Sequence, residues 1–331
     1  MLFDKIKGHD SVLQKLSTMC EDKSFSGVFI FKGPPSIGKH TTAKTLTKYL
    51  TCTESEISTD CRCSNCRQYP SVPDLFEVDK GTDLIKIEDI AALEEYASLL
   101  PYKSKRKVVL INNIENLNNH AANRLLKLLE VPREHIVYIF ISSNFKKISP
   151  IIVSRCRTIE FEGLTLDAFK NILSNQKVSD RDTEFLWSIH DQTRSGVLGR
   201  HFVYLKVEKT VPSFVKQFTG KNENNLLIQI DELVTKGELT EFLEILIVYV
   251  GDILKMHFGC TNLICFRHDL ENIEGLTEKW TEDLCLALIS KLRECLKIGD
   301  SGLNLSLRSN VRNSVSWIYM LLNKKSTTDA K

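Results

Sequence analysis

The stretch GVFIFKGPPSIGKH, residues 27–40, decides the fold of this 331-residue chain. A short apolar run rich in β-branched and aromatic residues predicts a buried strand, and a glycine-rich loop then leads into a helical pattern. In a phosphate-binding loop of this kind, backbone N–H groups surround the phosphates and a lysine contacts the outer ones. Gly33, Gly38 and Lys39 fit that pattern, with Ser36 inside the loop. The alternative is a strand–turn–helix that needs its glycines for geometry alone.

The position that holds magnesium in such a loop carries the wrong side chain. A Ser or Thr hydroxyl is expected directly after the lysine, and His40 stands there instead. Thr41 comes one residue later, rotated roughly 100° around the helix, and is therefore a poor substitute.

The acidic half of the site is also missing. An apolar strand ending in acidic residues should position Mg²⁺ and the attacking water. Here the strand KVVLI (107–111) is followed by Asn112 and Asn113, and an amide neither holds Mg²⁺ by charge nor takes a proton from water. Together with His40, these changes predict that hydrolysis is lost. Nucleotide binding stays open, because Lys39 and the loop amides remain.

Four further segments predict strands that alternate with helices. Apolar positions at three- and four-residue steps predict helices over 86–100 and 119–130. Near-continuous apolar strands suit a parallel sheet covered on both faces, so we expect a doubly wound α/β domain. The predicted strands are GVFIF (27–31), DLFEV (74–78), KVVLI (107–111), IVYIFIS (136–142) and RTIEF (157–161).

After about residue 162 the strand signals fade and helical patterns take over. The clearest predicted helices of the C-terminal part are 239–258 and 282–298, and a polar segment with a proline and a glycine (211–225) is interpreted as a linker. We expect a core over 1–162, a small helical domain over 163–208, a larger one over 209–325 and a disordered tail over 326–331.

Composition narrows the class of protein. The chain is 42% apolar and 26% charged with a net charge of +2, which is ordinary for a soluble globular protein and argues against a free-standing DNA binder. No apolar run is long enough for a signal peptide or a membrane span, so we expect a cytoplasmic protein. In that setting ten cysteines are thiols or metal ligands rather than disulfides. Four cluster at Cys52, Cys61, Cys63 and Cys66, and we expect the other six to be buried thiols.

Three segments carry a resemblance to a known family. PDLFEVDKGTDLIKIEDI, KVVLINNIENLNNHAANRLLKLLEVP and VSRCRTIEF resemble the AAA+ clamp-loader subunits of the bacterial DNA polymerase III holoenzyme. The match covers roughly residues 5–206, and the altered ATP site is most like that of the delta-prime type. The resemblance implies an AAA+ core, a helical lid and a C-terminal collar through which several subunits form an open ring. The implied partners are gamma/tau-like and delta-like subunits and, through the complex, the sliding clamp and primer–template DNA.

The segment VSRC (153–156) matches the Ser-Arg-Cys motif of this family, with Ser154, Arg155 and Cys156. In the family this arginine projects into the ATP site of the adjacent subunit. A guanidinium has the planar fork and permanent charge that suit a phosphoryl group. The alternative for Arg155 is an ordinary surface arginine.

The four clustered cysteines match the family's zinc module. Thiolates bind Zn²⁺ tetrahedrally, and three cysteines within six residues can surround one ion. The family usually spaces the last three as C-x2-C-x2-C, whereas here the first gap is one residue, Cys61-Arg62-Cys63. The alternative is four free thiols on a polar excursion of the first domain.

The segment SGVLGR (195–200) resembles the lid motif in which motor subunits carry a second phosphate-sensing arginine. Arg200 stands one residue late, as it does in the delta-prime type, and its alternative role is to cap a helix. The resemblance also implies a sensor strand, which ends here in Ser142 and Ser143, where the motor subunits carry threonines.

Two rival functions remain at this point. One is an active gamma/tau-like ATPase with unusual ligands, and the other is a replication-associated AAA+ protein that works outside a clamp loader. A turnover assay and the set of co-purifying proteins would separate them.

Overall fold

The computed structural model divides into two compact units, Met1–Ile172 and Leu173–Lys331. The described residues are 3–4, 6–21, 26–54, 61–81, 83–191, 196–220, 222–299 and 304–324. The predicted tail over 326–331 lies outside them.

The first unit contains a five-stranded, fully parallel sheet in the order β2-β3-β4-β1-β5. The strands are β1 (Gly27–Lys32), β2 (Leu75–Val78), β3 (Lys107–Ile111), β4 (Ile136–Ser142) and β5 (Arg157–Glu160). Each lies within one residue of its predicted span, and the doubly wound α/β prediction is confirmed.

Helices cover both faces of this sheet. The helices of the first unit are α1 (Asp10–Glu21), α2 (Lys39–Leu50), α3 (Ser64–Gln68), α4 (Ile87–Ser98), α5 (Asn119–Glu130), α6 (Pro150–Val153) and α7 (Leu166–Asn175), with single 3-10 turns at Ile114–Asn116 and Phe145–Lys147. Helices α1 and α2 lie on one side of the sheet, and α4 and α5 lie on the other. Helix α7 extends across the division between the two units.

The alternation of side chains along β1 explains the two-sided core. Val28 and Ile30 face the helices α4 and α5, while Phe29 and Phe31 face α1 and α2, because successive residues of a strand point to opposite faces. All four are buried. An apolar residue is therefore needed at every position of the central strand, which is why the run shows no polar alternation.

Parallel pairing brings the loops after β1, β3 and β4 to the same edge of the sheet. Strand β1 pairs with β4 from Gly27↔Val137 to Lys32↔Ser142, and β4 pairs with β3 up to Ile111↔Phe140. The carboxyl ends of neighbouring parallel strands lie side by side, so the loops after β1, β3 and β4 meet at this edge.

The regular elements among the described residues of the second unit are all helices, as predicted for the C-terminal part. Its helices are α8 (Asp180–Ile189), α9 (His201–Glu208), α10 (Val211–Gln217), α11 (Glu223–Lys236), α12 (Leu239–His257), α13 (Leu270–Thr277), α14 (Glu282–Gly299) and α15 (Asn304–Lys324), with 3-10 turns at Thr261–Leu263 and Arg267–Asp269. The predicted helices 239–258 and 282–298 correspond to α12 and α14.

The interpretation of 211–225 as a linker is wrong for its first half. Residues 211–217 form helix α10, whose residues Val211, Phe214 and Val215 are buried. The spacing of these residues is that of one helical face. A proline is tolerated in the first turn of a helix, where its missing N–H has no intrahelical partner.

No helix in the described part of the chain is long and apolar enough to cross a membrane.

The buried face of α4 generates a stability prediction. Leu93 is fully buried against the sheet, so Leu93→Ala should lower the free energy of unfolding of the first unit by about 2–5 kcal/mol. Hydrogen–deuterium exchange of the β3 and β4 amides measures this as a loss of protection. The matched control is Leu100→Ala at a side chain that is 76% exposed, which should change stability by less than about 0.5 kcal/mol. Equal effects of the two variants would contradict the assignment of this core.

Candidate nucleotide and metal sites

The loop between β1 and α2 has the backbone conformation that glycine permits. Gly33 has a φ of +153°, and a Cβ there would lie 2.2 Å from the backbone oxygen of Phe161. Gly38 has a φ of +101° and precedes the first turn of α2. Ser36 also has a positive φ, 55°. The loop therefore turns sharply from the sheet edge into the N-terminus of α2, where backbone N–H groups favour an anion.

Lys39 is held inside this loop by the chain's own oxygens. Its side chain is only 4% exposed, and Nζ donates to the carbonyl oxygens of Gly33 (2.8 Å) and Pro34 and to Ser143 Oγ (3.1 Å). Burial lowers the pKa of Lys39 to about 8, and the nearby Glu115 carboxylate opposes that shift. The ammonium group thus satisfies its hydrogen bonds without a phosphate.

His40 is engaged with an acidic side chain from β2. Its Nε2 lies 3.3 Å from Glu77 Oε1, and Lys44 Nζ lies 3.3 Å from the same oxygen. Thr41 is exposed on α2, so it does not take over the hydroxyl position. The side chain at the magnesium position is therefore an imidazole beside a carboxylate.

The two asparagines after β3 donate to the loop that follows β2. Asn112 Nδ2 donates to Asp79 Oδ2 at 3.2 Å, and Asn113 Nδ2 donates to the carbonyl oxygen of Gly81 at 2.9 Å. Asn113 has left-handed backbone angles, φ 51° and ψ 53°, which asparagine tolerates better than most residues. Both amides thus act as structural donors between neighbouring loops.

Glu115 is a member of this site that the sequence analysis missed. Its Oε1 accepts hydrogen bonds from the backbone N–H groups of Ser143 and Asn144, each at 2.9 Å. It lies close enough to Lys39 to oppose the fall in the pKa of that lysine. The available signal was that Glu115 is the first acidic residue after β3. Ser142, in contrast, is buried, and its Oγ has no partner among the described residues.

The four clustered cysteines lie around a common centre. The sulfur atoms of Cys52, Cys61, Cys63 and Cys66 all lie within 4.8 Å of one another, with 3.6 Å from Cys52 to Cys61 and 3.8 Å from Cys52 to Cys63. A tetrahedral zinc ion with Zn–S bonds of about 2.3 Å separates its sulfur ligands by about 3.8 Å. The residues present therefore fit a zinc ion despite the shortened C-x-C spacing.

The thiol of Cys63 is biased toward the thiolate that a metal needs. Burial raises the pKa of Cys63, but hydrogen bonds from Thr53 and Cys66 outweigh that effect and bring the pKa to about 5. Cys63 also precedes the first turn of α3, where the N–H of Cys66 donates to its sulfur. Burial raises the pKa of Cys52 to about 11.

Side chains tie the cysteine module to α2. The buried Asn65 donates from Nδ2 to the carbonyl oxygen of Thr51 at 2.8 Å. Tyr69 shares a 2.8 Å hydrogen bond with the hydroxyl of Thr47 and donates to the carbonyl oxygen of Lys44. The module is thus attached to the last turns of the helix that begins at Lys39.

Arg155 lies between α6 and β5 with its guanidinium partly exposed. Its Nη2 lies 3.6 Å from Glu130 Oε1, and its Nη1 donates to the carbonyl oxygen of Ile151 at 3.1 Å. Ser154 and Cys156 bond back to the preceding helix through the carbonyl oxygens of Ile151 and Ile152. The two flanking residues therefore fix the backbone from which Arg155 projects.

Arg200 belongs to the second unit and has partners there. Its Nη1 lies 2.5 Å from Glu241 Oε1, and its Nη2 donates to the carbonyl oxygen of Gly237 at 3.1 Å. Glu241 is buried, and burial raises the pKa of its carboxyl group while Arg200 opposes the shift. Arg200 also stands at the N-cap position of α9, but its side chain makes no capping hydrogen bond there.

Comparison with known proteins finds relatives of this chain among the subunits of DNA polymerase III. The family described as "DNA polymerase III, delta subunit" matches residues 8–165. DNA polymerase III subunit delta' of Bacillus subtilis is 25% identical over 300 residues, which cover 88% of this chain and 91% of that protein. Subunit tau of the same organism is 25% identical over 280 residues, 76% of this chain and 50% of the relative. Subunit gamma of Buchnera aphidicola (subspecies Baizongia pistaciae) is 31% identical over 176 residues, 52% of this chain and 47% of the relative.

This chain therefore spans about half of these tau and gamma relatives but nearly the whole of the delta' protein. Among solved structures, a DNA polymerase III gamma subunit-related protein from Thermotoga maritima has a TM-score of 0.48 at 17% identity, covering 95% of this chain and 99% of that one. These similarities support a clamp-loader subunit of DNA polymerase III of the delta-prime type.

Proposed function

We propose that this chain is a non-hydrolysing clamp-loader subunit that supplies Arg155 to the ATP site of a neighbouring motor subunit. In this role it helps a complex with gamma/tau-like and delta-like partners to load the sliding clamp onto primed DNA. Zinc at the four cysteines is structural.

The observation that carries the proposal is the state of the magnesium side of the loop. The expected hydroxyl is replaced by His40, which contacts Glu77, and the expected acids are replaced by Asn112 and Asn113, which donate to the loop after β2. Hydrolysis needs a metal held against the outer phosphates and a group that orients water. The loop amides and Lys39 fit phosphate binding, but these three residues do not fit magnesium-dependent hydrolysis.

The position of Arg155 supports a role in another subunit. Its ion pair with Glu130 joins two partly exposed side chains, and such pairs contribute little to stability. A phosphoryl group offers the guanidinium a stronger, bidentate partner. Exchange of Glu130 for a neighbour's phosphate therefore costs little.

The first prediction is that the purified chain hydrolyses no ATP above the level of a Lys39→Ala control. Without a hydroxyl or carboxylate for Mg²⁺, the outer phosphate lacks the charge neutralisation that its transfer requires. The measurement is phosphate release at saturating Mg²⁺ and ATP. Steady turnover that Lys39→Ala abolishes would instead favour the gamma/tau-like ATPase.

The second prediction concerns the cysteine module. Fresh, untagged protein should carry one zinc per chain, and the double variant Cys61→Ser, Cys66→Ser should lose it. Since zinc contributes folding free energy locally, amide exchange should rise in the described part of the module, 61–69, while β3 and β4 stay protected. Cys260→Ser, at a partly exposed cysteine of the second unit, is the control and should keep its zinc. Metal analysis that finds no zinc in the parent protein would overturn the assignment.

The third prediction tests Arg155 in a reconstituted loader. Arg155→Ala should leave the complex assembled but slow hydrolysis at one neighbouring site by about a thousandfold or more, because an arginine finger contributes on that scale. Arg155→Lys should rescue poorly, since lysine lacks the planar fork. The measurement is pre-steady-state phosphate release with clamp and primed DNA.

Two variants serve as controls for that experiment. Arg157→Ala removes an exposed arginine two residues away and should have no effect. Glu130→Ala removes the intrachain partner of Arg155 and should leave hydrolysis at the wild-type rate or above it. If the Arg155→Ala complex shows wild-type burst rates, Arg155 is an ordinary surface arginine and the subunit serves only as a scaffold.

A further inference from the structure

His40, Glu77 and Asp79 bring one imidazole and two carboxylates together beside the first turn of α2. Their ligand atoms all lie within 4.8 Å of one another. His40 is the second residue of α2, Glu77 lies in β2, and Asp79 directly follows that strand. A helix and a strand thus supply two of the three groups, and the phosphate-loop role described above does not use the three as a set.

The distance between the first two ligand atoms suits a divalent transition metal ion. Bonds of about 2.0–2.2 Å in tetrahedral or octahedral geometry place adjacent ligand atoms about 2.8–3.6 Å apart. The distance from His40 Nε2 to Glu77 Oε1 is 3.3 Å. An ion can therefore enter between these two atoms without movement of α2 against β2.

Hydrogen bonds orient the third ligand. Asn112 Nδ2 donates to Asp79 Oδ2 at 3.2 Å, and the backbone N–H of Gly81 donates to Asp79 Oδ1 at 3.1 Å. Each carboxylate oxygen has a second lone pair for a metal. Outer contacts of this kind fix the direction of a metal-binding carboxylate. Asn112, which is unsuited to bind Mg²⁺ by charge, here acts as a support for Asp79.

One cation competes for the same place. Lys44 Nζ lies 3.3 Å from Glu77 Oε1, and its side chain is partly exposed. Partly exposed pairs of this kind are weak, so the lysine can withdraw into solvent when a divalent ion arrives. The competing explanation is a simple ion-pair cluster of His40, Lys44 and Glu77, and it predicts no metal binding.

We propose that His40, Glu77 and Asp79 bind a divalent transition metal ion of the Mn²⁺ class, which joins the first turn of α2 to the end of β2. Carboxylates suit Mn²⁺, and an imidazole favours transition metals over Mg²⁺ and Ca²⁺. The site does not depend on the clamp-loader role, and it needs no nucleotide. The residue that removes the magnesium hydroxyl thereby creates a different metal site.

The test is a titration of the full chain, with its zinc in place, by Mn²⁺ without nucleotide. Mn²⁺ is poorly suited to the thiolates of the cysteine module, so its binding reports on nitrogen and oxygen ligands. Electron paramagnetic resonance of free Mn²⁺ should show one equivalent bound at sub-millimolar concentration. Electron spin-echo modulation of the bound ion should show coupling to an imidazole nitrogen.

Four variants make the result specific. His40→Ala should abolish the nitrogen coupling and, like Asp79→Asn, weaken binding at least about tenfold. Lys44→Ala should tighten it about fivefold, because a nearby positive charge is removed. His120→Ala, at an exposed histidine of α5, is the matched control and should bind as the parent does. Circular dichroism verifies that each variant is folded. If His40→Ala does not fold, Asp79→Asn provides the test, because it changes an exposed side chain.

Two results would overturn the proposal. The first is a parent chain that binds no Mn²⁺ at sub-millimolar concentration, which leaves an ion-pair cluster only. The second is binding whose affinity and nitrogen coupling survive His40→Ala, which places the ion elsewhere on the chain. Neither result would affect the proposed role of Arg155, which is measured in the assembled complex.

Discussion

The parallel pairing of β1 with β4 is the constraint on which the sites of the first unit depend. It runs from Gly27↔Val137 to Lys32↔Ser142, so the turn after β1 and the serines at the end of β4 lie side by side. Lys39 can therefore donate to Ser143, although 104 positions separate them in sequence. A slip of one residue would turn every side chain of the slipped strand toward the opposite layer of helices and move the loop after β1 away from the end of β4. The same pairing that buries the core thus fixes the geometry of the phosphate loop.

The polar side chains at the carboxyl edge of the sheet bind other groups of the same chain. Lys39 donates to its own loop, Glu115 accepts two backbone N–H groups, and Asn112 donates to the loop after β2. Each of these side chains thus has a partner within the chain. Arg155 lies in a different loop, partly exposed and weakly paired with Glu130. The proposed loss of hydrolysis and the proposed action on a neighbour therefore rest on separate loops.

The sequence predicted the local elements better than the contacts between them. Strands β1 and β4 and helix α5 were predictable because buried runs and helical spacing are local signals. The cysteine cluster was predictable because its ligands are close in sequence. Glu77 and Asp79 were missed, since their partners His40 and Asn112 lie more than thirty positions away and nothing local links them. Helix α10 was mistaken for a linker because proline and polar residues outweighed its apolar face.

The glycines of the loop after β1 are weaker evidence for nucleotide binding than their sequence pattern indicates. A Cβ at Gly33 would collide with the backbone of Phe161, which continues β5 by a hydrogen bond from its N–H to the carbonyl oxygen of Lys32. Glycine is therefore required there by the packing of β1 against β5, whether or not a phosphate binds. Lys39 is likewise satisfied by carbonyl and hydroxyl oxygens. The fold therefore accounts for the loop and the lysine by itself, so their presence is no argument for an active ATPase. The residues that discriminate between the functions are His40 and Arg155, because each is partly exposed and its intrachain ion pair is weak.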